Sequence, residues 1–529
     1  MSTAPLWIAG SFRPSADEGA GFSAWNPATG RPILGEYPIS GRRDLEALLT
    51  AATGAAPLLA EASPETIARF LEGYAARIES HAVALSGLAH EETALPVRPR
   101  LFEVELPRTL KQLREGARIA RSRNWREPVI DTAANLRTQR GPLGKPVVIF
   151  GPNNFPFAFN ALSGSDFVSA WVAQNPVVAK GHPGHPHVTE ALAHLAQESL
   201  DAAGLPPGSI QLCYGLEESS GFALVGDPRV GAVCFTGSRP AGLALKARAD
   251  SAGIPFFGEM SSTNPVFILP GALAERGEAL ASEVAASCLL GSGQFCTKPG
   301  LLFLPSGSLA EQWTGTLAGH FAAAPEAVLL AAGVRDRFEA ALEAWERAGA
   351  RRLTTAARPV TEAGFRAQPA LFSVDIQTFL AHRDALETEA FGPAALVVSG
   401  IDPGEMPGVA LGLEGQLTAT LLSAHDGSDE DCYRPLATVL RTRAGRLLND
   451  KMPTGVLVSP AMNHGGPFPA TNQPGFTSVG LPGAIRRLTA LHCYDGVRPG
   501  HLPAELGNPN PTPGLWRLVD GMWTEGNID

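Results

Sequence analysis

The 529-residue sequence contains no run of about 18 uninterrupted apolar residues, although 44% of it is hydrophobic, which argues against a helical membrane span. Cysteine is scarce. The six present, Cys213, Cys234, Cys288, Cys296, Cys432 and Cys493, form no CxxC pair and no Cys/His spacing of a zinc site, so neither a disulfide framework nor a bound metal is expected. Positive charge is also short: 42 Lys and Arg face 52 Asp and Glu, a net charge of −10, with the basic residues spread along the chain. That removes the electrostatic footprint of a nucleic-acid binder and leaves small molecules as the expected partners. The opening Met1-Ser-Thr-Ala-Pro-Leu-Trp lacks a basic region and a long apolar stretch, so no secretory signal is expected and the cytoplasm is the default location.

A chain this long exceeds one hydrophobic core, and two or three domains of roughly 100–250 residues are expected. After the turn Asn26-Pro27-Ala28-Thr29-Gly30, the pattern predicts helix from about Arg42 to Leu88, interrupted near Pro57 and Pro64. Lys145-Pro-Val-Val-Ile-Phe-Gly151 then reads as a buried strand. Strand-like runs recur at Pro176–Lys180, Ile210–Tyr214 and Val230–Phe235, separated by Ala- and Leu-rich helical stretches such as 188–203. This alternation predicts an α/β fold with a parallel, doubly wound sheet. A second helix- and strand-containing region spans about 265–465. The tail from about 497 is rich in Pro, Gly and Asn, but its apolar Leu515-Trp-Arg-Leu-Val519 predicts docking on the body or on a partner subunit rather than disorder.

The strongest chemical signal is Gly291-Ser-Gly-Gln-Phe-Cys296-Thr-Lys-Pro, a thiol after a glycine-rich bend. Leu280, Val284 and Cys288 share one face of the preceding helix, so Cys288 suits burial. Cys296 suits a nucleophile whose thiolate is favoured by local dipoles or a base. Upstream, Phe257-Gly-Glu259-Met-Ser-Ser-Thr-Asn264-Pro places a carboxylate before a polar turn, where partial burial would raise it toward neutrality as a general base. Gly151-Pro-Asn-Asn154-Phe-Pro follows a strand end, where α/β sheets gather ligands, and the Asn154 amide can donate to an oxyanion. Thr236-Gly237-Ser238 follows another strand and opens a helix whose free N–H groups suit a pyrophosphate, with GxxxxG spacing in place of GxGxxG. Taken singly, each segment is as well explained by a buried small residue, a solvated turn or a plain loop.

Together and in this order, with Lys180 and Glu389-Ala-Phe391-Gly392-Pro393, these segments resemble the aldehyde dehydrogenase superfamily over nearly the whole chain. The resemblance is greatest to the branch of 2,5-dioxovalerate (α-ketoglutaric semialdehyde) dehydrogenases and NADP-using fatty aldehyde dehydrogenases. It rests on Phe150-Gly-Pro-Asn-Asn-Phe-Pro, Lys180-Gly-His182-Pro-Gly-His185-Pro, Gly258-Glu-Met-Ser-Ser, Leu413-Glu-Gly-Gln-Leu417-Thr and the tail Leu515-Trp-Arg-Leu-Val-Asp-Gly521.

The resemblance implies a Rossmann-type cofactor domain (1–124 and 147–262), an α/β catalytic domain (263–480), and an oligomerisation arm with a C-terminal tail (125–146 and 481–529) in a homodimer or homotetramer. It implies that Cys296 attacks an aldehyde, with Asn154 and the Cys296 backbone N–H holding the oxyanion. The resulting thioester is hydrolysed through Glu259, ranked first, or His464. Lys180 and His182 would lie at the adenosine ribose, Thr236, Gly237 and Ser238 at the pyrophosphate, and Glu389 with Phe391 at the nicotinamide ribose of NADP or NAD. Pro183 stands where NAD-preferring members commonly have a ribose-binding Glu, so NADP is expected to be tolerated or preferred. Met260-Ser261-Ser262 replaces the Leu-Gly-Gly of many relatives. The expected substrate is a semialdehyde such as 2,5-dioxopentanoate, the alternatives being a medium- or long-chain fatty aldehyde, thiol acyl transfer or esterase chemistry without hydride transfer, or a non-catalytic member. Arg108, Arg114, Arg137 and Arg140 are possible receivers of a substrate carboxylate, with no choice among them.

Overall fold

Val-Val-Ile-Phe at 147–150 is apolar on both faces because the strand it forms is covered on both faces, the usual state of a parallel sheet. In the computed structural model, which describes residues 3–17, 20–354 and 363–528, this strand is central. The first sheet runs Phe256–Glu259, Ala232–Thr236, Val147–Phe150, Val177–Lys180, Ile210–Cys213, Leu6–Ile8, Ser11–Arg13. Its first five strands are parallel and the last two antiparallel. From Val147–Phe150 the chain builds outward in one direction to Ile210–Cys213, then returns to the other side through Ala232–Thr236. The order therefore reverses beside Val147–Phe150, and such a switch point leaves a crevice at the strands' C-terminal ends.

Helices cover the sheet, and one differs from its sequence-based expectation. Pro57 does not interrupt: Arg42–Ala60 runs through it, because Ala52, Ala55, Ala56 and Leu59 are buried and packing there outweighs one lost backbone hydrogen bond. Pro64 does mark a boundary, in the first turn of Pro64–Ser80 behind Ser63, whose side chain accepts from Thr66 N–H. Buried Glu92 accepts from the N–H groups of His187 and Val188 and so caps the Pro186–Ala203 helix that follows Lys180.

A second sheet runs Arg351–Arg352, Ala370–Asp375, Ala394–Ile401, Leu301–Pro305, Val266–Ile268, Gln416–Leu422, Ala444–Asn449, parallel except at its first strand. The Pro270–Leu289 helix packs on it with Leu280, Val284 and Cys288 buried. A third sheet joins Thr489–Asp495, Leu136–Pro142, Val129–Asp131, Arg517–Val519 and Met522–Thr524. The tail docks on its own chain, where buried Arg517 donates to the carbonyls of Gly507, Asn508 and Gly526. Among the described residues no helix is long and apolar enough to cross a membrane.

Candidate active site

The strand ends at the switch point deliver the sequence-predicted residues to one cavity of about 960 Å³. Asn154 follows Val147–Phe150, Lys180 ends its strand with His182 just beyond, Thr236-Gly237-Ser238 leaves the next, and Glu259 ends the last. From the other sheet's side come Cys296, Glu389 and Phe391. His464 does not line this cavity; it sits directly behind Cys296.

The bend before Cys296 needs its glycines. Gly291, Ser292 and Gly293 all have positive φ (58°, 59° and 68°), and a Cβ on Gly293 would collide with the Gly392 carbonyl. This close approach sets the nucleophile's loop against the Glu389–Phe391 segment. Lys298 adds to the seam: its buried ammonium donates to the carbonyls of Ala390 (3.0 Å) and Ala394 (2.7 Å). Asn264, itself at φ 49°, donates to the carbonyls of Cys296 (2.8 Å) and Lys298 (2.9 Å), and Gln416 Oε1 accepts from the backbone N–H groups of Thr263 and Asn264.

Cys296 Sγ lies 3.5 Å from His464 Nε2, which lies 3.1 Å from Glu259 Oε1, and the ligand atoms of the three fall within 4.8 Å of one another. Ser478 donates to the other Glu259 oxygen at 3.2 Å. Burial pushes the Glu259 carboxyl up, but His464, Cys296 and Ser478 together hold it below the usual carboxylate value. The sequence-based expectation of a raised Glu259 is therefore corrected: a buried carboxylate that accepts several donors stays ionised. Cys296 moves oppositely to the expectation of a favoured thiolate. Burial, then the neighbouring Glu259 charge, push its thiol well above the ordinary value, so its proton must be taken by a neighbouring base. Cys288 is simply buried, as its helix face predicts.

Asn154 is buried, and its amide donates one hydrogen to the Gln294 carbonyl at 2.9 Å, leaving the second. Its loop is braced by an ion pair the sequence did not reveal. Arg100 pairs with Glu105 and donates to the Asn154 carbonyl at 2.9 Å, while Glu105 accepts from Phe157 and Ala158 N–H.

At the cofactor end, Ser238 caps the Arg239–Ser251 helix without a side-chain bond, which leaves the first-turn N–H groups of Arg239 and Ala241 without a side-chain acceptor, Pro240 between them having none. Gly237 is an exception: its N–H is bonded to the Glu259 carbonyl at 3.1 Å, which ties this turn to the base instead of to a phosphate. Burial lowers Lys180 to about 8 and His182 well below its ordinary value, and among the described residues no carboxylate is a cause of either shift. Burial raises Glu389 to about 7 against the pull of Lys298. An uncapped helix start, a glycine-lined turn and a cation without a counter-charge, at a parallel-sheet switch point, fit a dinucleotide.

The missed residues, Arg100, Glu105, Gln294, Lys298, Gln416 and Ser478, act through backbone atoms or through another side chain. For Gln416 the sequence offered only its place in a family motif.

Comparison with known proteins identifies the family and the fold. The aldehyde dehydrogenase family model matches residues 12–410. Alpha-ketoglutaric semialdehyde dehydrogenase 2 of Azospirillum brasilense is 39% identical over 511 residues, covering 94% of this chain and 95% of the relative. The alpha-ketoglutaric semialdehyde dehydrogenase of Acinetobacter baylyi is 37% identical, with 87% of each chain covered. Among solved structures, an aldehyde dehydrogenase of Pseudomonas syringae in complex with NAD+ and octanal aligns with a TM-score of 0.79 at 19% identity, covering 95% of this chain and 98% of that one. Lactaldehyde dehydrogenase of Escherichia coli gives the same TM-score at 22% identity, covering 93% and 99%. At these identities the two structures establish the shared α/β fold.

Proposed function

The chain belongs to the aldehyde dehydrogenase family, and from that premise we propose that it oxidises a semialdehyde with a distal carboxylate, such as 2,5-dioxopentanoate, using NADP in preference to NAD. The observation that carries the reading is the meeting of Cys296, His464 and Glu259 within 4.8 Å, with Cys296 and Glu259 opening onto a cavity of about 960 Å³.

The roles follow from that meeting. His464 Nε2 faces both a carboxylate oxygen and a sulfur, so a proton carried there donates to Glu259 and toward Sγ. Glu259, ionised and in contact with the thiol, is then the acceptor of the Cys296 proton. The thiolate adds to the aldehyde carbon, and the new oxyanion lies between the second Asn154 amide hydrogen and the Cys296 backbone N–H. Glu389 and Phe391 would hold the nicotinamide of a bound cofactor, which would accept the hydride. Once oxidised, the Cys296 adduct is a thioester; Glu259, after passing the thiol's proton to solvent, takes a proton from the water that hydrolyses it and returns that proton to the departing Cys296 sulfur, while His464 orients the carboxylate.

The cofactor preference rests on Lys180 and His182, which lack a carboxylate partner, and on Pro183. A 2′-phosphate would supply the missing counter-charge. The homodimer or homotetramer reading rests on the third sheet and its flank, which expose Leu491, Trp516, Met522 and Trp523; a monomer by sedimentation would refute it. One observation favours the fatty aldehyde as a second reading: Phe155, Phe159, Phe295 and Val479 form an apolar cluster beside Cys296. Acyl transfer without hydride chemistry would leave the large cavity without a role.

The test is a panel of semialdehydes and fatty aldehydes assayed with NADP and NAD, with Cys296→Ala as the blank. The highest kcat/KM is expected for 2,5-dioxopentanoate with NADP. A clear preference for long apolar aldehydes, or for NAD, would overturn the corresponding half of the proposal.

A further inference from the structure

We propose that Arg108 receives the distal carboxylate of the substrate, an inference that rests on the semialdehyde reading above. Three of the four arginines singled out in the sequence are engaged elsewhere. Arg114 pairs with Glu79 at the surface, Arg137 donates to the Leu506 carbonyl and Asn508, and Arg140 pairs with Glu127. Arg108 alone among those four has no hydrogen bond or ion pair among the described residues, and its Nε and Nη2 are shut away from solvent without an acceptor. Guanidinium donors hidden from water without an acceptor are costly, and a ligand carboxylate removes that cost.

Its position is as specific as its lack of a partner. Arg108 lies in the first turn of the Leu106–Ser122 helix, its guanidinium 4.7 Å from the Phe159 ring centroid and 5.6 Å from that of Phe155. Phe159 stands 5.8 Å from the His464 ring, and Phe155 stands 5.4 Å from Phe295, the residue before Cys296. One ring, Phe159, stands between the guanidinium and His464, and two, Phe155 and Phe295, lead from it to the residue before Cys296, so Arg108 sits at the far end of the aromatic cluster from the thiol and within its electrostatic reach. Ring contact on the guanidinium faces leaves its edge, where the donors lie, for a bidentate carboxylate.

The neighbouring carboxylate cannot serve instead. Glu105 is committed to Arg100 and to the N–H groups of Phe157 and Ala158. Burial lowers Arg108 to about 10, opposed by Glu105 and then Cys296, so it remains a cation at neutral pH and acts electrostatically on the nucleophile. The same aromatic cluster that would accept a fatty chain thus ends, at Arg108, in a charge that a fatty chain cannot satisfy.

The test compares wild type, Arg108→Met and Arg108→Lys on 2,5-dioxopentanoate, 5-oxopentanoate and pentanal with NADP. Arg108→Met should raise KM for both oxo acids about 100-fold while pentanal stays within about threefold, and Arg108→Lys should recover part of the loss. Unchanged NADP binding serves as the check that each variant is folded; should the Met variant fail it, the Lys variant's selective loss on the oxo acids carries the test. A parallel loss on all three substrates would reduce Arg108 to a packing residue, and no loss on any would refute the assignment outright. If wild type already handles pentanal as well as 5-oxopentanoate, the semialdehyde reading fails and takes this inference with it. If wild type prefers the oxo acids and both variants keep that preference, the Arg108 assignment fails alone.

Discussion

The two walls that meet at Cys296 are built differently. The proposed cofactor wall joins backbone features, a glycine turn, an uncapped helix start and the ends of parallel strands, to the side chains of Lys180, His182, Glu389 and Phe391 around a wide cavity. The aldehyde wall is mostly side chain: Phe155, Phe159 and Phe295 with Arg108 on them, supplied by a helix and two loops far apart in sequence. Backbone donors suit what all dinucleotides share, whereas side chains such as those of the proposed aldehyde wall distinguish one aldehyde from another. Glu259, bonded through its carbonyl to Gly237 and through its carboxylate to His464, belongs to both.

The largest expected break in this comparison is at that junction. Glu259→Gln should lower the steady-state rate by about 10²–10⁴-fold and leave an acyl-enzyme visible by mass spectrometry, with NADP affinity nearly intact. His464→Asn should slow the pre-steady-state burst as well. If Glu259→Gln turned over normally while His464→Asn accumulated the thioester, the order of the two bases would be reversed.

Next in size is Gly293→Ala. The added Cβ collides with the Gly392 carbonyl at a left-handed φ, at a cost on the order of 1–3 kcal/mol. Because the collision couples the nucleophile's loop to the cofactor segment, both KM for NADP and kcat should worsen. A change in only one would show that the two walls are less tightly joined.

Lys180→Met tests the cofactor wall alone. It should reduce the NADP-over-NAD ratio about tenfold and leave the ranking of aldehydes unchanged. Lys180 is a cation below a pKa of about 8, so NADP affinity in wild type should be full at pH 7 and fall as pH rises through about 8, while NAD affinity changes little. Titration of KM for both cofactors between pH 6 and pH 9.5 checks the sign, and a parallel decline would refute it. Smallest of all, Arg114→Gln breaks only an exposed ion pair with Glu79 and should move neither the melting temperature nor any kinetic constant measurably.

The legibility of the two walls differs for the same reason that they do. Lys180, Thr236–Ser238 and Glu259 stand at the ends of strands whose apolar runs are visible locally, so pattern and position agree with the structure. Pro57 misleads because the neighbouring alanines and Leu59, buried by tertiary packing, keep a helix intact across a residue that favours a break. The Glu259 carboxyl misleads because burial is only one influence on it: His464, Cys296 and Ser478, lying 205, 37 and 219 positions away respectively, reverse its direction. No local window contains that information.

By itself the sequence determined an α/β fold and singled out Cys296 as the candidate nucleophile, Asn154 as the candidate oxyanion donor and Thr236–Ser238 as the candidate dinucleotide turn, since each depends on short segments with fixed backbone needs. Only the tertiary structure decided that Glu259 stays ionised, that His464 reaches both Glu259 and Cys296, and that one arginine of four faces the aromatic cluster without a partner. Those are matters of burial and distance between remote side chains, and such quantities exist only once the chain has folded.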